Sequence, residues 1–174
     1  MKKLIFILAI AIGSVQGIYA QDNHDHGPVH EGKWLIEINT GSWTVGNTGF
    51  SLASADGDTM WSIGAEGGYF VHNNLAIKAG LGYQDYGDGD FSSFNYKAGL
   101  KYYLANYFPL GVDYTGTSYD GADENPSYLG LQGGYAWFIT PKVSIEPTIR
   151  YNLSLNSDFY DDVFQALIGF AIHL

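Results

Sequence analysis

Cysteine is absent from this 174-residue chain. That excludes a disulfide framework, thiolate-bound zinc, thiol catalysis and a lipidated-cysteine anchor. Bases are scarce, with 8 Lys+Arg against 18 Asp+Glu and a formal net charge of −10. Phosphate neutralisation needs clustered Lys and Arg, so no nucleic-acid partner is expected. Charge of either sign is thin, at 15% of residues. After Gln21 no apolar run approaches the roughly 18 residues of a spanning helix. Glycine (23) and tyrosine (14) are plentiful instead, and aromatics reach 16%. That balance is unusual for a soluble α/β enzyme and ordinary for a sheet with one face in lipid. The mean hydropathy of −0.06 decides nothing until the apolar residues are assigned to faces.

The length is that of one domain, preceded by a targeting segment. Lys2 and Lys3 lead into the apolar run Leu4 to Ile12, and Ile18-Tyr19-Ala20 ends in a small residue. Residues 1–20 read as a secretory signal peptide cleaved near Ala20/Gln21. Its removal takes two lysines and no acid, leaving a net charge of −12. Residues 21–32 (QDNHDHGPVHEG) are polar and aperiodic, and are expected to form a flexible periplasmic arm.

From Lys33 onward one unit recurs: an alternating strand, a short turn, an alternating strand, an acidic Gly-rich loop. The short turns are 71–74, 104–108 and 138–142, and the longer loops are 41–58, 85–91, 119–126 and 153–162. Strict alternation of short and long connections predicts eight antiparallel strands, all-β, in an up-and-down barrel over 33–174. Side chains alternate faces along a strand, so parity sorts them. One parity holds Trp34-Ile36-Ile38, Leu75-Ile77-Ala79-Leu81-Tyr83, Phe164-Ala166-Ile168-Phe170-Ile172-Leu174 and their counterparts in the other strands. These 38 positions contain no charged residue and no Ser, Thr, Asn, Gln or His, where the chain's 15% would place about six charges by chance. The other parity carries Glu37, Glu66, Lys78, Lys97, Lys101, Asp113, Glu146 and Arg150, interspersed with glycine. Apolar outside and charged inside is stable only in lipid, where closure leaves no unpaired edge. Aromatics gather near both strand ends, as interfacial girdles do. Pro147 falls inside the seventh strand, where it cannot donate to a ladder, so a bulge or a missing bond is expected there.

With hairpins such as GGYFVHNNLAIKAGLGY (67–83), GLKYYLANYFPLGVDY (99–114) and GGYAWFITPKVSIEPTIRY (133–151), and the closing strand FQALIGFAIHL (164–174), the chain resembles the small eight-stranded outer-membrane barrels of the OmpA/OmpX or opacity-protein type. The resemblance covers 33–174. It implies export, periplasmic short turns, surface loops and a last-strand signal for the barrel assembly machinery, matched by Phe164, Ile168, Phe170, Ile172 and Leu174. The departure is Leu174, where that family favours a terminal Phe or Trp. Members range from structural proteins to adhesins, pores and lipid-modifying enzymes, so the resemblance points to architecture rather than activity.

The four interior acids and four interior bases are expected to pair, Glu66 with Lys78 and Asp113 diagonally with Lys97 and Lys101, because an unpaired charge in a narrow lumen is costly. The plain reading is a salt-bridged plug, since eight strands leave little room beyond their own side chains. The alternative is a small gated polar pathway, hence a narrow channel or solute transporter. The loops hold eleven acids and no base. They read as a solvated surface, with Asp56, Asp58, Asp88 and Asp90 as weak candidates for divalent cations. His24, His26 and His30 are equally weak candidates for Zn²⁺ or Cu²⁺. The lipid face offers no Ser or His for acyl chemistry, so neither enzyme activity nor a cofactor is expected. The expectation is a monomeric outer-membrane protein in contact with lipid, with a structural role or an extracellular ligand at its loops.

Overall fold

The computed structural model describes residues 27–41, 45, 48–55, 58–87 and 91–174. The signal segment 1–20 and the candidates His24, His26, Asp56, Asp88 and Asp90 lie outside the described residues. Ten strands follow in order: β1 Trp34–Asn39, β2 Ser51–Ala55, β3 Asp58–His72, β4 Leu75–Asp85, β5 Ser92–Leu104, β6 Phe108–Tyr119, β7 Ser127–Gly134, β8 Trp137–Thr140, β9 Val143–Ser154 and β10 Val163–His173. Every pairing is antiparallel, in the order β1-β10-β9-β7-β6-β5-β4-β3-β2. β1 also pairs with β3, Trp34 opposite Tyr69 and Glu37 opposite Glu66, and this closes the barrel. The wall has eight staves, because β7 and β8 are two parts of one stave and β2 is an appendage of β3.

Both extra segments have local causes. The connection over 41–58, expected as open loop, contains β2. Ser51 stands opposite Ser62 and Ala55 opposite Asp58. Ser51 shares a 2.7 Å hydroxyl bond with Ser62, while Leu52 stays exposed. A five-residue strand with one large apolar side chain carries too little alternation to stand out from its Gly- and Asp-rich flanks. The break between β7 and β8 lies opposite Pro147. Tyr135 donates its N–H to the Pro147 carbonyl at 3.1 Å, but proline has no N–H to return. Ala136 turns its N–H to the Tyr107 carbonyl instead, at 2.7 Å. The register resumes unshifted, Gly134 opposite Thr148 and Trp137 opposite Ile145.

The two faces separate as parity predicts. Outside stand Trp34, Ile36, Ile63, Ile77, Leu81, Leu100, Leu110, Ile149, Ile168 and Phe170, all exposed. Edge-to-face aromatic pairs such as Trp34–Tyr69 (5.1 Å) and Phe108–Tyr135 (5.5 Å) ring the turn end. Trp61 and Tyr83 (5.4 Å) belong to the ring at the loop end. Inside, Glu37, Glu66, Lys101, Glu146 and Arg150 are each 2% exposed. Exposed leucine and isoleucine around buried lysine and glutamate invert a water-soluble protein and match a barrel seated in lipid.

Residues 27–32 depart from the expected flexible arm. The Val29 carbonyl accepts the Asn74 N–H (2.7 Å), Gly32 donates to Phe70 (2.9 Å), and Phe70 donates to Lys33 (2.9 Å). Glu31 donates its N–H to the Asn73 side chain at 3.1 Å. Val29 enters the apolar cluster of Leu35, Phe70, Ala76, Tyr103, Ala136 and Ala171. One buried apolar side chain and a set of backbone bonds tie down a stretch whose composition is otherwise that of a tail.

Candidate functional site

The interior is stratified from the turn end to the loop end. At the turn end most inward positions are apolar: Leu35, Phe70, Ala76, Tyr103 and Ala171 are all fully buried, with Val29 packed among them and the polar Ser144 and His173 at the same level. Phe70 and Tyr103 stand 5.9 Å apart between ring centres, and His173 lies against both. The inward parity of β1, β3 and β5 already placed Leu35, Phe70 and Tyr103 there. Their meaning as a seal was hidden because attention falls on the charges further along the same strands.

Above this seal runs an ion-pair chain. Glu146 takes Lys101 at 2.5 Å, and Lys101 also reaches Glu37. Glu37 holds Lys78, which meets Glu66 at 2.8 Å. Glu66 binds Lys97 at 2.7 Å as well, and accepts the Thr48 hydroxyl (2.7 Å) and the Asn39 amide (3.2 Å). Tyr103 and Ser144 donate hydroxyls to Glu146 at 2.9 and 2.7 Å. Arg150 grips Asp113 through two nitrogens at 2.5 and 2.6 Å and donates further to Asn152, Gln132 and Thr115. All eight interior charges expected to pair do meet opposite charge. The partner of Asp113 is Arg150, not Lys97 or Lys101. A rigid guanidinium matches a carboxylate with two parallel bonds, and an ammonium does not. Lys101 is held by Glu37 and Glu146 instead.

Glycine makes the room for these long side chains. A Cβ on Gly130 would fall on the Arg150 guanidinium, and one on Gly99 would fall on Asp113. On Gly80 it would stand 2.7 Å from the Glu66 side chain. Among the described residues, voids of about 10 and 20 Å³ both touch Lys97. Each has room for about one water.

Ser144, Glu146 and His173 fall together, with the Ser144 hydroxyl 3.2 Å from the His173 Nε2. The carboxylate takes its bond from the serine and not from the histidine, so it does not orient the base as a hydrolytic triad requires. Ser144 is fully buried.

Toward the loops the lining becomes neutral: Ser62, Gln84, Ser93, Asn95, Thr117 and Tyr128 are all buried. Val45, almost fully buried, enters from the segment between β1 and β2, and its carbonyl accepts the Thr117 hydroxyl at 3.3 Å. Composition gave no signal that Val45 and Thr48 would enter the lumen. Outside the mouth, Tyr86, Phe91 and Tyr119 pack together, the last two stacked at 5.6 Å. Several loop acids serve the loops themselves. Asp162 accepts the Tyr151 hydroxyl (2.9 Å) and the Ser154 N–H (2.8 Å), and Asp85 accepts the Gly87 N–H (2.9 Å). Asp58 is exposed at the β2–β3 turn, and His30 lies in the turn that leads into β1. Among the described residues no three His, Cys, Asp or Glu side chains converge as a metal site.

No protein-family model matches the chain. No curated protein matches it. Among solved structures it is similar to the Yersinia pestis outer membrane protein Ail in a phospholipid nanodisc, at 14% identity and a TM-score of 0.49, covering 83% of this chain and 100% of that one. It is similar to the N-terminal β-barrel domain of Pseudomonas aeruginosa OprF at 12% identity and a TM-score of 0.44, covering 83% and 98%. A de novo designed transmembrane β-barrel aligns at 13% identity and a TM-score of 0.44, covering 83% and 97%.

Proposed function

We propose that the protein is an outer-membrane barrel whose interior is structural and whose working surface is the loop end, in an envelope-supporting or surface-interaction role. The observation that carries this reading is the lumen. An apolar seal of Leu35, Phe70, Tyr103 and Val29 closes the turn end, and every charge of the chain above it is paired. An ion crossing this lumen would have to leave water, break buried pairs and pass an apolar layer. The described loop acids Asp58, Asp120, Asp123, Glu124, Asp158, Asp161 and Asp162 are exposed, which suits contact with a partner.

A narrow conduit is the second reading, supported by the voids that touch Lys97. Planar-bilayer recording separates the two. The sealed reading expects no stable openings from the native protein. Stable openings whose conductance changes in Glu66→Gln or Arg150→Ala would overturn it.

A further inference from the structure

The β6–β7 connection (120–126) and the β9–β10 connection (155–162) are described throughout, and they fold against each other. Asn125 accepts the Tyr119 N–H at 2.8 Å and turns the first connection back on its own strand. Across to the second, the Asn156 amide donates to the Glu124 carboxylate at 3.2 Å and the Tyr160 hydroxyl donates to the Glu124 carbonyl at 2.9 Å. Leu155 donates its N–H to the Ser127 carbonyl at 2.9 Å. Within the second connection, the Asn156 carbonyl accepts the Phe159 and Tyr160 N–H groups at 3.1 and 3.0 Å. Asp162 fixes its far end to Tyr151 and Ser154. At the base Tyr119 stacks on Phe91, with ring centres 5.6 Å apart. The two connections thus make one platform, already ordered before a partner arrives, which lowers the entropy cost of binding.

This platform shows apolar surface beyond the barrel wall. Phe159 is 63% exposed and Leu155 55%. Tyr160, next to Phe159, turns its hydroxyl to the neighbouring connection, while the Phe159 ring stays bare. The same two connections carry six exposed acids, Asp120, Asp123, Glu124, Asp158, Asp161 and Asp162. Neither contains Lys, Arg or His. Like charges held on an ordered surface repel one another, and an approaching cationic partner relieves that repulsion.

We propose that this platform docks a cationic, amphipathic segment of another protein, with Arg or Lys against the carboxylates and apolar side chains against Phe159 and Leu155. The proposal rests on the loop end being the working surface, and it adds the class of partner. The sign of the charge turns away nucleic acid and anionic lipid. Among the described residues no three acids converge on one point, so a small cation finds no cage. Charges spread over a surface match charges spread along a polypeptide. A purely charged partner would leave Phe159 and Leu155 uncovered, whereas protein interfaces set aromatic and aliphatic anchors within a polar rim. The exposed Phe159 ring can also accept a guanidinium over its face. A surface of this kind needs no cavity.

The test uses the mature chain in phosphatidylcholine nanodiscs, with empty nanodiscs as the reference. Biolayer interferometry compares three peptides of equal length that alternate Arg with Leu, Glu with Leu, and Arg with Ser. The Arg–Leu peptide is expected to bind, the Glu–Leu peptide not to bind, and the Arg–Ser peptide to bind at least about tenfold more weakly. Phe159→Ser combined with Leu155→Ser should weaken Arg–Leu binding by about tenfold while the barrel keeps its gel shift. Asp158→Asn combined with Asp161→Asn should weaken it and flatten its dependence on salt. Leu52→Ser, at an exposed apolar position on β2 and off the platform, should leave binding unchanged. Equal binding of the Arg–Ser and Arg–Leu peptides would reduce the surface to an ion exchanger and overturn the proposal. So would affinity untouched by the Phe159 and Leu155 substitutions, or an equal loss in Leu52→Ser. If the Arg–Leu peptide fails to bind while bilayer recordings stay silent, the platform falls and the sealed lumen stands. Stable openings alongside platform-dependent binding would do the reverse.

Discussion

Arg150→Met is the sharpest perturbation of the interior. The guanidinium makes two bonds to Asp113, at 2.5 and 2.6 Å, and others to Asn152 (2.6 Å), Gln132 (3.0 Å) and Thr115 (3.2 Å). Without it, Asp113 retains the Thr115 hydroxyl at 2.8 Å and the field of Lys97 across a small void. Breaking a buried pair by removing one partner costs about 3–5 kcal/mol, more than a hundredfold in the folding equilibrium. Replacing both partners removes the uncompensated charge. Arg150→Met with Asp113→Leu should therefore lie within about 1 kcal/mol of the native protein, despite losing every bond named above. The assay is urea unfolding in detergent micelles or thin bilayers, read by the mobility difference between boiled and unboiled samples on SDS gels. A single substitution costing under about 1 kcal/mol, or a double variant no more stable than the single one, would refute the claim that the pair is a buried, mutually dependent unit.

Other consequences can be measured in the same system. Gly130→Ala places a methyl group on the Arg150 guanidinium and should destabilise by about 1–3 kcal/mol, with a smaller effect in the double variant that lacks the arginine. Ile168→Arg, on the lipid face at mid-strand, should cost about 2–4 kcal/mol in a bilayer; a neutral result would place that face out of lipid. Ala105 sits at φ 50° in the β5–β6 turn, so Ala105→Gly should stabilise by about 1 kcal/mol, and loss of stability would contradict the left-handed turn. The Asn74 N–H, bonded to the Val29 carbonyl, should resist hydrogen exchange, and rapid exchange there would return residues 27–32 to a free arm.

How much of this was legible beforehand depended on the kind of information each feature carries. Parity along β3, β4, β5 and β10 is local, and it assigned the lipid face and the charged interior without any tertiary knowledge. Pro147 was legible too, because its lost donor is a property of one residue in any strand. The seam between β7 and β8 is where that loss fell. β2 was not legible, because Ser51–Ala55 becomes a strand only when the first residues of β3, Asp58–Ser62, are there to receive it.

The sequence by itself determined that charge would be hidden and apolar surface displayed, since alternation with period two permits only two faces. Its acidic composition was thereby divided into a neutral lumen and an anionic rim. Only the tertiary structure decided which charges meet. Lys97, Lys101 and Arg150 compete for Glu37, Glu66, Asp113 and Glu146 across staves distant in sequence. The outcome depends on side-chain reach, on guanidinium geometry and on the space that Gly80, Gly99 and Gly130 leave. The entry of Val29 from one end and of Val45 and Thr48 from the other was decided there as well. A closed barrel creates the only volume they could fill, and no local pattern describes a volume that exists only after closure.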